Sequence, residues 1–354
     1  MATPCHCSTG LALPNPSEYY MTKTTLDGLV TKSISGFFTV ETADGAIIAR
    51  IPGKLRQQKR GSTLIAIGDS VTVSVNADGS GSIEAIAPRK SALARARTAA
   101  GVRSISADLE QVLVANPDQV VFVFSVTTPS PSFRKLDRFL VVAEMNGLTA
   151  VICANKIDLT SIEEARKQFQ PYEDIGYRVI YTSAESGAGV EELRDCLHGK
   201  ISALTGSSGV GKSSLLNAIQ PELGLQALAV SQATGKGMHT TRYAEMFPLE
   251  GGGYVADTPG IRGLALFDLE PGELDAYFVE IEPLVSQCRF SDCTHIHEPG
   301  CAVLKAVKNG RISPQRYDSY LRLREEHEIL EKKFYERAWG VDGFPTSNWI
   351  RWYE

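Results

Sequence analysis

NKID at residues 155–158 lies ahead of GSSGVGKS at 206–213, and that order constrains the fold more than any other feature of the chain. The second string fits G-x-x-x-x-G-K-[ST], with the strand-like KISALTG leading in and the helix-like KSSLLNAI leading out. That is the context in which the motif makes a phosphate cradle. Gly206, Gly209 and Gly211 let the backbone curl so that its N–H groups turn inward, with Ser207, Ser208, Val210 and Ser214 in the same turn. Lys212 is the arm that reaches β- and γ-phosphates, and the Ser213 hydroxyl is a ligand for Mg²⁺.

The first string reads the base. Asp158 can accept two hydrogen bonds from guanine N1–H and its exocyclic amine, whereas adenine would leave the carboxylate desolvated and unpaired. Asn155 can hold the neighbouring loop and the N7 side of the purine, and the Lys156 stem can lie over the ring beside Ile157. TSAESG at 182–187 follows a strand and offers the Ala184 N–H, next to Ser183, to guanine O6. DTPG at 257–260 ends a later strand: Asp257 supplies a carboxylate to the metal shell and Gly260 an N–H to the γ-phosphate. Between cradle and DTPG, GKGMHTTR at 235–242 is a Gly-hinged loop in which Thr240 or Thr241 completes the Mg²⁺ shell. These boxes stand in rotated order. Joining the ends of a closed domain and cutting it at another surface loop preserves every contact in its site. The cut falls between DTPG and NKID, so the γ-phosphate-sensing segment runs directly into whatever lies beyond 268.

The rest of the chain divides around this unit. Residues 1–23 are aperiodic and read as a disordered lead-in, its CHC at 5–7 being incidental. From 25 to 87, LDGLVTKSI, GFFTVET, AIIARI, DSVTVSV and GSIEAIA read as five short strands, separated by turn signals such as ADG. They predict a small closed barrel of the OB type. The chain carries a formal net charge of −5, yet from Lys23 to Arg103 twelve Lys/Arg face six Asp/Glu. Lys54, Arg56, Lys59, Arg60, Arg89 and Lys90 are therefore the candidates for RNA contact. From 119, strands and helices alternate, which predicts an open, mostly parallel sheet covered on both faces. The expected domains are 24–103, a barrel with a basic linker, 104–267, the nucleotide unit, and 268–354, a helical region with a tail. No apolar run approaches the ~20 residues of a bilayer span and no leader pattern opens the chain, so a cytoplasmic monomer without membrane contact is expected.

CRFSDCTHIHEPGC brings Cys288, Cys293, His295 and Cys301 into a C-x4-C-x-H-x5-C spacing. Three thiolates and an imidazole make a closed tetrahedral Zn²⁺ site, structural rather than catalytic. His297 is the second choice for the imidazole.

The barrel, the rotated boxes and this spacing together resemble the ribosome small-subunit-dependent GTPase A (RsgA/YjeQ) family, over about residues 25 to 335. Asn155 to Asp158, Gly206 to Ser214, Asp257 to Gly260 and the four zinc ligands carry the resemblance. It implies an OB-fold, a circularly permuted GTPase and a helical zinc-binding domain. It also implies a role in late maturation of the small ribosomal subunit, with rRNA binding and subunit-stimulated GTP hydrolysis to GDP and phosphate. Two other readings share the same boxes: a permuted GTPase acting on another RNA target, and an RNA-binding module that holds GTP only as a structural ligand. The tail WGVDGFPTSNWIRWYE lies outside the matched pattern. Its Trp339, Trp349 and Trp352 are free to stack on RNA or to pack back onto the protein. Ile261, after D-x-x-G, cannot orient a water, as a Gln there does in many GTPases. His239, beside Thr240 and Thr241, is the candidate for that task or else an exposed loop histidine.

Overall fold

The computed structural model describes residues 24–53, 55, 63–96, 110–225, 244–257 and 269–339. His239, Thr240, Thr241, Gly260, Ile261, Lys54, Arg56, Lys59, Arg60, the CHC motif, Trp349 and Trp352 lie outside the described residues.

The five expected N-terminal strands form. They are β1 (Thr25–Ile34), β2 (Phe37–Thr42), β3 (Gly45–Arg50), β4 (Ser70–Val75) and β5 (Gly81–Ile86). They pair in the order β1-β2-β3-β5-β4, and β4 returns to β1, closing the barrel. Period-two alternation sends Val30, Phe38, Val40, Ala49, Val71, Val73 and Ile83 inside, none of them more than 5% exposed.

The basic stretch after the barrel holds a strand that its composition does not announce. β6 (Ala92–Ala96) pairs antiparallel with β7 (Glu110–Ala115), and Val114 bridges to Ile67 under the barrel. Leu93 and Val114, both 0% exposed, supply the apolar side of this ribbon.

The nucleotide unit follows as β8 (Gln119–Ser125), α1 (Phe133–Met145), β9 (Thr149–Asn155), α2 (Ile162–Glu173), β10 (Arg178–Thr182), α3 (Val190–Leu197), β11 (Ile201–Thr205), α4 (Lys212–Ile219), β12 (Ala244–Pro248) and β13 (Tyr254–Asp257). Strand order is β10-β9-β8-β11-β13-β12, parallel except for β12. β8 is buried along its whole length because helices cover both faces. Ser161 starts α2 by accepting the Glu164 amide at 3.2 Å, with Glu163 and Glu164 favouring the positive end of the helix dipole.

β12 does more than edge this sheet. It pairs with barrel strand β1 at Lys32–Glu245 and Ser33–Ala244, so barrel and nucleotide unit share one eleven-stranded sheet. Lys32 Nζ reaches Glu245 Oε1 at 2.6 Å across the seam.

Beyond 268 the chain is helical: a 3₁₀ turn (Pro271–Tyr277), α5 (Glu282–Val285), α6 (Ala302–Lys308) and the long α7 (Pro314–Trp339). No helix among the described residues is long and apolar enough to cross a membrane. α7 docks on α1 through a buried charge cluster. Arg316, 1% exposed, donates to Asp137 Oδ1 at 2.7 Å and forks onto Glu280 at 2.7 and 3.0 Å. Tyr172 of α2 donates to the same Asp137 oxygen at 2.8 Å. The guanidinium also lies 4.6 Å from the Phe278 ring centroid. Burial raises the Asp137 carboxyl above its ordinary value, with Arg316 pulling the other way.

Removing Arg316 strands two carboxylates in the interior. Arg316→Met is expected to lower stability by about 3–5 kcal/mol, read as a falling midpoint in urea unfolding of the full chain. An unchanged midpoint would contradict the view that this cluster holds the C-terminal region to the sheet.

Candidate functional site

The base reader and the phosphate cradle meet through Asn155. This residue ends β9 and is 1% exposed. Its Nδ2 donates to Val210 O at 2.8 Å, and its Oδ1 accepts from Thr182 Oγ1 at 3.1 Å. Lys156 then takes a left-handed conformation, φ 68°, at a cost of roughly 1–3 kcal/mol for a residue with a side chain. Two bonds from its ammonium offset that strain, one to Gly209 O and one to Thr128 O, each at 2.7 Å. Burial lowers the Lys156 pKa below its ordinary value, while Asp158 pulls it back up.

The glycines of the cradle follow from these approaches. A Cβ on Gly206 would stand 2.2 Å from Val123 O of β8. On Gly211, whose φ is +99°, it would stand 2.4 Å from Asn155 Nδ2. Lys212 opens α4 and donates to Gly206 O at 3.0 Å and Ser207 O at 3.3 Å, which keeps its ammonium on the loop. Ser213 and Ser214 lie in the first turn of the same helix, half-buried, as are Ser207 and Ser208 before it.

Asp158 is exposed, one residue into a short 3₁₀ turn that begins at Ile157. Ser183, fully buried, donates to its Oδ1 at 2.5 Å and fixes the carboxylate's direction. Ser183 Oγ also accepts the Ser186 amide at 3.1 Å, which shapes the turn carrying Ala184. Asp257 closes β13 in register with Leu204, which brings the backbone of that strand end beside the entry to the cradle. Asn155 to Asp158, Ser183, Ala184 and Gly206 to Ser214 therefore gather at the carboxyl ends of β9, β10 and β11, where open α/β sheets bind their ligands.

The second site is the cysteine cluster. Ligand atoms of Cys288, Cys293, His295 and Cys301 all lie within 4.8 Å of one another. His295 Nδ1 is 3.6 Å from Cys288 Sγ and 3.4 Å from Cys301 Sγ, and those sulfurs are 3.9 Å apart. A tetrahedral ion with ordinary zinc bond lengths sets about 3.8 Å between sulfurs and about 3.6 Å between sulfur and nitrogen. The donor set fits. His295 Nε2 faces Asp275 Oδ2 at 3.2 Å, a carboxylate that orients the ring. The Ala302 and Leu304 amides of α6 point at Cys288 and Cys301 Sγ, at 3.3 and 3.4 Å. Burial opposes ionisation of Cys288, yet the Ala302 and Val303 amides bring its thiol below the ordinary value, while burial pushes Cys293 up to about 12. Glu298 holds the loop by accepting the Thr294, Ile296 and His297 amides and the Thr294 hydroxyl. His297 is exposed and stands outside the cluster.

Arg89, expected among the RNA contacts, forks its guanidinium onto buried Asp69, with both bonds 2.7 Å, and donates to Thr63 O at 3.0 Å, which braces the barrel end. Lys90 remains exposed. Thr128, Asp275 and Asp69 had no mark in the sequence, and Thr182 only opened the TSAESG string, because each acts through a partner distant along the chain.

The chain matches the family model of the RsgA GTPase over residues 86–267 and that of the RsgA N-terminal domain over 27–83. It is 45% identical over 306 residues to a Gemmatimonas aurantiaca protein named small ribosomal subunit biogenesis GTPase RsgA, covering 86% of this chain and 98% of that one. A protein of the same name from Caldanaerobacter subterraneus is 40% identical over 311 residues, covering 88% and 99%. Among solved structures, YjeQ from Thermotoga maritima is 39% identical with a TM-score of 0.68, covering 86% of this chain and 99% of that one. YloQ, described as a circularly permuted GTPase, is 31% identical with a TM-score of 0.66, covering 88% and 98%.

The cluster geometry predicts one tightly held thiophilic divalent ion per chain, measured by elemental analysis of the purified protein. Cys288→Ser is expected to release it while leaving GTP affinity within about twofold, since no ligand belongs to the nucleotide loops. A folded chain free of metal would contradict the reading.

Proposed function

Since this chain belongs to the RsgA GTPase family, we propose that it hydrolyses GTP as an assembly factor in late maturation of the small ribosomal subunit. In this reading it binds the rRNA of that subunit and is stimulated by it. The observation that carries the nucleotide part is the pair of side chains, Asn155 and Lys156, bonded to the Val210 and Gly209 carbonyls. They make one pocket edge of two sequence-distant boxes.

The roles divide by chemistry. Asp158, aimed by Ser183, takes the guanine N1–H and amine, and the Ala184 amide takes O6. Gly206 to Ser214 wrap the phosphates, and Lys212 swings from its loop carbonyls to the β- and γ-oxygens. Ser213, Asp257 and one of Thr240 or Thr241 would hold the Mg²⁺ of bound GTP, which would offset phosphate charge. Gly260 meets the γ-phosphate. Cys288, Cys293, His295 and Cys301 would hold a structural Zn²⁺. Lys54, Arg56, Lys59, Arg60, Arg89 and Lys90 supply phosphate contacts, Arg89 from the position that its bond to Asp69 fixes. We assign the barrel unit to 24–103, the GTPase unit to 104–267 and the zinc-binding unit to 268–354, in a monomer working in the cytosol.

Ile261 cannot orient water, so hydrolysis by the chain alone is slow and His239 supplies the missing hydrogen bond when the small subunit is bound. Single-turnover hydrolysis with and without purified small subunits tests this. Acceleration of about 10-fold or more by small subunits is expected, with His239→Ala retaining GTP and subunit binding but losing most of the gain. Equal rates with and without subunits would overturn the assembly-factor reading. Full stimulation of the His239 variant would remove that residue from catalysis.

A further inference from the structure

The outer face of β1–β3 carries chemistry that neither the nucleotide site nor the metal cluster uses. Phe37 of β2 stands directly opposite Arg50 of β3 and is flanked on its other side by Ile34 of β1. The Arg50 guanidinium lies 4.2 Å from the centroid of the Phe37 ring. The next row on this face is Lys32, Thr39 and Ile48. Phe37 is 42% exposed and Ile48 60%, while the intervening Phe38 and Ala49 are turned into the barrel.

A single exposed apolar side chain needs no explanation. An aromatic ring held beneath an arginine, next to a second exposed apolar residue and on the second and third strands of an OB-type barrel, is a different arrangement. Those strands form the face on which such barrels take oligonucleotides. We propose that Phe37 and Arg50 form a stacking platform for an unpaired RNA base, with Ile48 extending its apolar floor. The proposal rests on the rRNA-binding part of the function above and locates a contact that does not depend on the basic segment 54–60.

The chemistry favours RNA over an apolar protein partner. A hydrophobic partner covering Phe37 and Ile48 would desolvate the Arg50 guanidinium without giving it an acceptor. A nucleotide offers a π-face to the ring and a phosphate oxygen to the guanidinium together. The chain also continues from Arg50 into Lys54, Arg56, Lys59 and Arg60, so the sequence after the platform is cationic.

The test is fluorescence anisotropy of the full chain with a short labelled single-stranded RNA and with a duplex of equal length. Phe37→Ala is expected to weaken single-strand binding roughly 5- to 100-fold, with an unchanged salt slope and unchanged duplex binding. Phe37→Trp should restore it and Phe37→Leu should not. Arg50→Ala should weaken binding and reduce the salt slope by about one. Wild-type affinity in Phe37→Ala, equal rescue by Leu and Trp, or no RNA binding by the unaltered chain would each overturn the platform. Hydrolysis measured on the same preparations separates the two readings. Small-subunit stimulation that survives with a failed platform leaves the assembly-factor function standing, whereas its absence removes that function independently.

Discussion

The Asn155 side chain is the contact on which the nucleotide site depends. It is buried at a strand end and ties Val210 of the cradle to Thr182 of the neighbouring strand. Lys156 repeats the link one residue later through Gly209. Because both bonds run through space to backbone carbonyls, they are indifferent to which motif comes first along the chain. A cradle fifty-odd residues downstream of its base reader is therefore no weaker than one upstream, provided that β9 and β11 flank β8 as they do here. Gly211 is fixed by the same contact, since any side chain there would strike the Asn155 amide.

Rotation of the order has a structural consequence at β12 and β13. The string at 235–242 precedes β12 in the sequence, and β12 is paired with barrel strand β1 and bonded through Lys32 and Glu245. β13 is the last strand before the C-terminal region, which Arg316 fastens to α1 through Asp137. From the sequence, the link toward the C-terminal region was expected. The link to the barrel is the addition made by the structure.

Legibility in the sequence followed the range of the interaction. The five barrel strands, the alternating sheet and the cradle were legible because period-two runs, helix starts and glycine spacing are local signals. The cysteine cluster was legible for the same reason, with all its ligands inside one loop. Arg316 was not: in SPQRYDSYLRLREE it reads as one charge on a solvated helix, yet carboxylates at positions 137 and 280 bury it. The bond from Arg89 to Asp69 was hidden in the same way, since the two stand 20 residues apart. β6 was hidden by its arginines, because only the partner strand β7 shows which side of ALARA is covered. Phe37 carries no motif at all; its meaning comes from the cross-strand register with Arg50.

If NKID and GSSGVGKS form one guanine-specific site despite their order, calorimetric titration of the wild type and Asp158→Asn will show it. Ser183 donates to Oδ1 of Asp158 and can do the same for an asparagine, so the substitution changes what is offered to the base without releasing the side chain. The wild type should bind GTP at least about 10-fold more tightly than xanthosine triphosphate or ATP, and Asp158→Asn should reverse the preference between the first two. Equal GTP affinity in the variant, or ATP binding as tight as GTP in the wild type, would contradict it.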